Sequence, residues 1–292
     1  MACGESVKNA GRGYPFGRMP GVRTIRLAAL AAAFVAVLAA TAGGSSGASP
    51  PLRGVNFISV CSFSHRGPDD PIVLPRQPGF SHDHTFVGND STNAFSTPAQ
   101  LRTASTTCHR PSDKAAYWMP TLFVGGQAVM PTTAISYYRR LVRTPLKPFP
   151  AGLQMVAGNS HATTPQRLNV TYWDCGDLVN IPPSANIPNC VDGQLSQHVN
   201  FPDCWDGKNL LYDNQKNTAY SVNGRCPKGY PVAMPALQLV YRYPKALSGS
   251  VELASGGQYS GHADFMNAWD QTELSRLVTK CLNAYRHCGL GG

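Results

Sequence analysis

The feature that most constrains this fold is an even set of cysteines. Cys61, Cys108, Cys175, Cys190, Cys204, Cys226, Cys281 and Cys288 follow an apolar leader, with Cys3 alone ahead of it. Outside the reducing cytosol such a set reads as four disulfides. Many pairings are formally open, and the one adopted here joins neighbours in sequence: Cys61 with Cys108, Cys175 with Cys190, Cys204 with Cys226, and Cys281 with Cys288. None has CxxC spacing, which argues against a thiolate zinc site. Each bridge is worth roughly 2 to 4 kcal/mol, enough in sum to staple a loop-rich fold.

Export is written into the start of the chain. Residues 1–26 carry Lys8, Arg12, Arg18, Arg23 and Arg26 against one acid, Glu5, and residues 27–42 are an almost unbroken apolar run ending in Ala40-Thr41-Ala42. These are the parts of a secretory signal, read as residues 1–42 with cleavage after Ala42. An uncleaved anchor is the alternative, although the run falls short of the about 20 apolar residues that span a bilayer. The leader's composition suits a Gram-positive, actinobacterial exporter. The mature protein is therefore expected outside the cell, off the membrane, and monomeric. Losing five cations and one anion lowers the formal charge from +9 to +5. The remaining cations are scattered, apart from Arg139, Arg140, Arg143 and Lys147, so no nucleic-acid groove is indicated.

About 250 residues remain, enough for one large domain with its own core. Residues 43–54 are a small, polar, flexible segment, and residues 55–292 are read as a single domain. Residues 55–61 alternate as a strand, as do the surroundings of Tyr117 and Trp118, the stretch containing Ile135, Tyr137 and Tyr138, and residues 149–158. Gly125-Gly126 marks a hairpin. Closely spaced Pro and Gly exclude helix over most of the chain. Only at the end do Leu274, Leu277, Val278, Cys281 and Leu282 keep helical spacing, behind a start at Thr272-Glu273. The expected class is mainly β: a sandwich or jelly-roll-like single domain with long disulfide-stapled loops and a C-terminal helix.

Candidate chemistry lies in three places. In Ser81-His82-Asp83-His84-Thr85, extended backbone sends His82 and His84 to one face and Asp83 to the other. Neutral imidazoles converging in this way suit a metal ion or acid-base work. Gly261-His262-Ala263-Asp264-Phe265 repeats the spacing, so His82, His84 and His262 form a candidate metal set, and Asp264 joins them as a candidate catalytic group. Two satisfied structural histidines are the plain alternative at each motif. In Cys204-Trp205-Asp206-Gly207-Lys208, an aromatic platform beside a carboxylate suits sugar binding. The alternative there is a Trp packed on a disulfide with Asp206 capping a turn. Tyr117 and Trp118 must face opposite ways on a strand, which leaves one for the core and the other for a substrate surface. His198 is a further candidate, whereas His65, His109, His161 and His287 read as surface residues.

The order of these segments resembles the DUF1996 family, secreted proteins to which no function is assigned. The matching pieces are residues 81–88, Thr106-Thr107-Cys108, Asp113-Lys114 with Tyr117-Trp118 and Pro120-Thr121-Leu122, Phe149-Pro150-Ala151-Gly152, residues 201–208, Cys226-Pro227, and residues 261–265 with Trp269-Asp270. The resemblance spans roughly residues 60 to 285 and implies an extracellular polysaccharide or cell-wall glycan context without naming a reaction.

No nucleophile elbow, phosphate loop or dinucleotide fingerprint is present. The leading expectation is a secreted carbohydrate-active protein, a hydrolase or lyase. His82, His84, His262, Asp264 and Asp206 would do the chemistry, with Trp205, Trp118, Tyr117, Asp83 and Lys208 holding substrate. A divalent metal ion is the one cofactor the pattern suits. The alternative is a non-catalytic wall-associated or glycan-binding protein whose histidines are structural or hold an ion.

Overall fold

In the computed structural model the described residues are 52, 54–176, 181–191, 193–212, 216–245 and 247–291. The expected signal peptide, and all but residues 52 and 54 of the flexible segment, lie outside them. The first eight strands are β1 (Asn56–Cys61), β2 (Phe63–Gly67), β3 (His84–Gly88), β4 (Ala116–Pro120), β5 (Leu122–Val124), β6 (Gln127–Val129), β7 (Thr133–Arg139) and β8 (Gln154–Gly158). There follow β9 (Thr171–Asp174), β10 (Gln194–Asn200), β11 (Cys204–Trp205), β12 (Thr218–Ala219), β13 (Val232–Ala233), β14 (Ala236–Lys245), β15 (Val251–Leu253), β16 (His262–Met266) and β17 (His287–Gly289). A six-stranded sheet in the order β17-β1-β7-β14-β10-β9 and a five-stranded sheet in the order β2-β3-β4-β16-β8 make up the body, with two small three-stranded sheets, β12-β11-β13 and β15-β5-β6, beside them.

The alternation of side chains along each strand makes the two large sheets a sandwich. Phe57, Tyr138, Leu237, Leu239, Tyr241 and Val199 from the six-stranded sheet share one buried core with Val87, Tyr117, Met119, Met155, Ala263 and Phe265 from the five-stranded sheet. Each square ångström of apolar surface so removed from water contributes about 25 cal/mol. Tyr241 Oη crosses between the sheets to donate to the Thr85 carbonyl at 2.8 Å.

The second face of the five-stranded sheet is buried as well. Phe86, Ala116, Trp118, Val156 and Met266 pack there beneath Ile72, Leu101 and Ala268. Strands β3, β4 and β16 are therefore buried at every position, and this corrects the expectation that Tyr117 or Trp118 reaches a substrate surface. Both are fully enclosed, because the sheet is covered on both sides. The cover comes partly from residues 68–81, a loop closed at its neck where the amides of Gly79 and Ser81 both donate to the Pro68 carbonyl, at 3.1 and 3.3 Å. It is an Ω-type loop.

All four disulfides join the neighbours expected from sequence. The Gly125-Gly126 hairpin joins β5 to β6, both glycines at positive φ. One short helix, α1, spans Pro98–Leu101, and the terminal helix α2 runs over Gln271–Leu277 and passes into a π-helical turn at Val278–Leu282. Its cap lies two residues ahead of the expected Thr272 start: the Asp270 carboxylate accepts the Glu273 amide at 2.8 Å, and a carboxylate suits a helix N-terminus better than a hydroxyl does. Among the described residues no helix is long and apolar enough to cross a membrane.

Candidate functional site

The two His motifs meet on the covered face of the five-stranded sheet. Strand alternation puts His84 and Phe86 of β3 on that face, together with His262, Asp264 and Met266 of β16. His84 is opposite Pro120 of β4, while on β16 His262 is opposite Gly158 and Asp264 lies between Trp118 and Val156. His82 precedes β3, just beyond the neck of the Ω-loop. The ring centroids of His82 and His84 are 4.3 Å apart, those of His82 and His262 4.9 Å, and those of His84 and His262 5.7 Å. Ligand atoms of all three lie within 4.8 Å of one another.

The main chain sets the protonation of two of these rings. Nδ1 of His262 is 2.9 Å from the Ser260 carbonyl, and Nδ1 of His84 is 2.9 Å from the Asp69 carbonyl. A carbonyl only accepts, so each Nδ1 carries the proton and each Nε2 presents a lone pair, the tautomer that suits a base or a ligand. His82 Nε2 then donates to His262 Nε2 across 3.2 Å. Burial disfavours a positive charge on every ring: it lowers His82 to about 4 and His262 to about 3, with His161 and His82 respectively adding repulsion, and it holds His84 well below the ordinary imidazole range.

Beneath the histidines sit two buried carboxylates. Asp264 is fully enclosed, and neither of its oxygens has a hydrogen-bond partner among the described residues; the same is true of His84 Nε2. Asp70, from the Ω-loop, is 4 % exposed and its Oδ1 accepts the amides of Ile72 and Val73, both at 2.9 Å. Burial raises Asp264 well above the usual carboxylate range, helped by the negative Asp70 beside it, and raises Asp70 to about 6.

His82 and His262 open onto a cavity of about 490 Å³ that is also lined by Asp70, Phe80, His161 and Tyr212. Phe80 is 75 % exposed at its rim. Asp70, Phe80, Tyr212 and the cavity position of His161 were not foreseen from the sequence. Phe80 sits two residues before His82, which was a usable signal. Tyr212 lies seven residues beyond Trp205, and only the folded chain brings it to the cavity.

The remaining candidates lie elsewhere. Asp206 does not line the cavity; it closes a turn, accepting from the amides of Lys208 and Asn209 at 2.8 and 2.9 Å and from Asn209 Nδ2 at 2.6 Å. Trp205 packs against the core with its Nε1 donating to the Asn209 carbonyl at 2.7 Å, and Lys208 borders a separate surface depression with Asn209 and Lys216. Asp83 points away from the histidines, as alternation requires, 3.7 Å from the Arg66 guanidinium. His198 pairs with Asp174 at 2.9 Å and stacks on Tyr172.

Fold and site define a disulfide-linked β-sandwich domain carrying an imidazole and carboxylate cluster under an Ω-loop. The family described as Domain of unknown function (DUF1996) matches residues 70–269, and the chain belongs to it. That span starts at Asp70 and holds all five residues of the cluster. No curated protein and no solved structure matches the chain.

Proposed function

We propose that this is a secreted carbohydrate-active protein that cleaves an extracellular polysaccharide, by hydrolysis or elimination, over the His82 and His262 cavity. One observation carries the reading: two imidazoles with Nε2 atoms 3.2 Å apart line an open cavity whose rim presents an exposed phenyl ring, Phe80, with Tyr212 close by. Sugar rings stack their apolar faces on aromatics, and a water or substrate group that displaces the His82 N–H from His262 Nε2 would meet a lone pair able to take its proton, in hydrolysis or in elimination. Four disulfides and the basic, apolar leader support an extracellular setting.

The test is to incubate the purified, oxidised protein with neutral and acidic polysaccharides. Hydrolysis produces new reducing ends, and elimination produces an unsaturated uronate chromophore. His262→Ala is expected to lower turnover by about 100-fold or more, with the circular dichroism spectrum unchanged. If the protein binds a polysaccharide and neither product forms, the cleavage reading fails and the glycan-binding alternative replaces it.

A further inference from the structure

We infer that the chain holds a divalent cation between Asp70, His84 and Asp264, at the bottom of the cavity, rather than among the three histidines expected from sequence. Asp264 carries two carboxylate oxygens, completely buried, with no donor in reach, and His84 Nε2 is a buried lone pair with no donor either. A buried polar group without a partner is costly, and a buried carboxylate more so. Three unpartnered acceptor atoms on β3 and β16, the two strands that flank β4, with a third residue's carboxylate within 4.8 Å of both, are a set of ligands lacking its ion.

Charge balance favours this trio over the other. Two carboxylates and one neutral imidazole cancel a 2+ ion, whereas His82, His84 and His262 would leave its charge uncompensated in a buried place. The outer support is also built. The Asp69 carbonyl holds His84 in the ligating tautomer, and the amides of Ile72 and Val73 orient the Asp70 carboxylate, the kind of second layer that fixes metal ligands. One imidazole with two carboxylates takes a borderline ion such as Zn²⁺ or Mn²⁺. Asp70 also lines the cavity beside His82 and His262, while His84 and Asp264 are sealed behind it, so the ion sits just under the cavity wall. The inference concerns the same cavity as the proposed cleavage but does not depend on turnover.

The experiment is elemental analysis of the exported protein after dialysis, with thermal melts of the full chain before and after EDTA and after adding back Zn²⁺ or Mn²⁺ alone. The expected result is one equivalent of metal, a melting temperature lowered by chelation, and its recovery with one of the two ions. Asp264→Asn is expected to lower metal affinity at least tenfold and to melt below the wild type. His82→Ala is expected to keep the metal. A chelated protein whose melting temperature ignores both ions overturns the inference, and so does an Asp264→Asn variant more stable than wild type, since removing a truly unpaired buried carboxylate relieves a cost. Loss of metal in His82→Ala with retention in Asp264→Asn would assign the ion to the three histidines and overturn it too. Metal binding without any polysaccharide cleavage leaves this inference standing while the proposed function fails, which keeps the two apart.

Discussion

At the scale of single residues, the site depends on a glycine that has no chemistry of its own. Gly158 faces His262 across the β8 and β16 pair at φ +89°, and a Cβ there would lie 2.5 Å from the Gly261 carbonyl and 2.8 Å from the His262 Cα. Both the backbone conformation and the contact exclude a side chain. Gly158→Ala is expected to cost about 1 to 3 kcal/mol in urea unfolding and to push His262 out of line with His82, weakening the proposed polysaccharide cleavage further than stability alone explains. Phe80 gives the opposite case. Three quarters of it is exposed, so Phe80→Ala should leave the melting temperature unchanged and, if stacking is worth about 1.4 kcal/mol, weaken polysaccharide binding about tenfold by calorimetry.

At the scale of elements, the disulfides differ in what they close. Cys61–Cys108 spans 47 residues, including the Ω-loop and β3, and Cys281–Cys288 spans only 7 at the end of the terminal helix. Because loop-closure entropy grows with the logarithm of loop length, removing the first with a paired Ala substitution is expected to cost about 4 kcal/mol and removing the second about 2. Comparing the two denaturant midpoints checks this. The larger loss should also free the segment that carries Asp70, His82 and His84, so the first variant is expected to lose the inferred metal as well. Helix α2 and its cap were close to legible, since apolar spacing is a local property. The identity of the cap was not, because Thr272 and Asp270 both qualify and only the chain's exit from β16 selects between them.

At the scale of the whole molecule, one buried chain of hydrogen bonds ties the sheets to the start of α2. Trp269 Nε1 donates to Tyr138 Oη at 2.8 Å, the Tyr138 and Tyr117 hydroxyls are bonded to each other, and Tyr117 Oη donates to both Asp113 oxygens at 2.9 and 3.0 Å. Burial raises the Asp113 carboxyl to about 7 against the hydrogen bonds from Tyr117 and the Ala115 amide. A carboxyl whose folded value lies above its unfolded one keeps its proton longer in the native state, so its contribution is complete below the unfolded value and is lost as pH rises through about 7. That loss amounts to a few kcal/mol, roughly 1.4 per unit of difference. Urea midpoints are expected to fall between pH 4 and 8, with Asp113→Asn showing a flatter profile. The difference between the two proteins isolates the Asp113 contribution from that of every other carboxylate.

The properties that the sequence determined are those set by counting and by local geometry. An even set of cysteines outside the cytosol implies disulfides, though which partners join is left to the fold, strand and helix follow from the period of apolar residues, and His82 and His84 share a side because an extended chain alternates. The tertiary structure decided what depends on which surfaces are covered. Alternation told Tyr117 from Trp118 but not that both faces of their sheet are buried. Composition placed an acid beside Trp205 but could not show that a tight turn consumes it. The meeting of Asp70, His84 and Asp264 follows from sheet register and from the Ω-loop folding back over β3 and β16, and long-range pairing of that kind leaves no periodic trace in the chain.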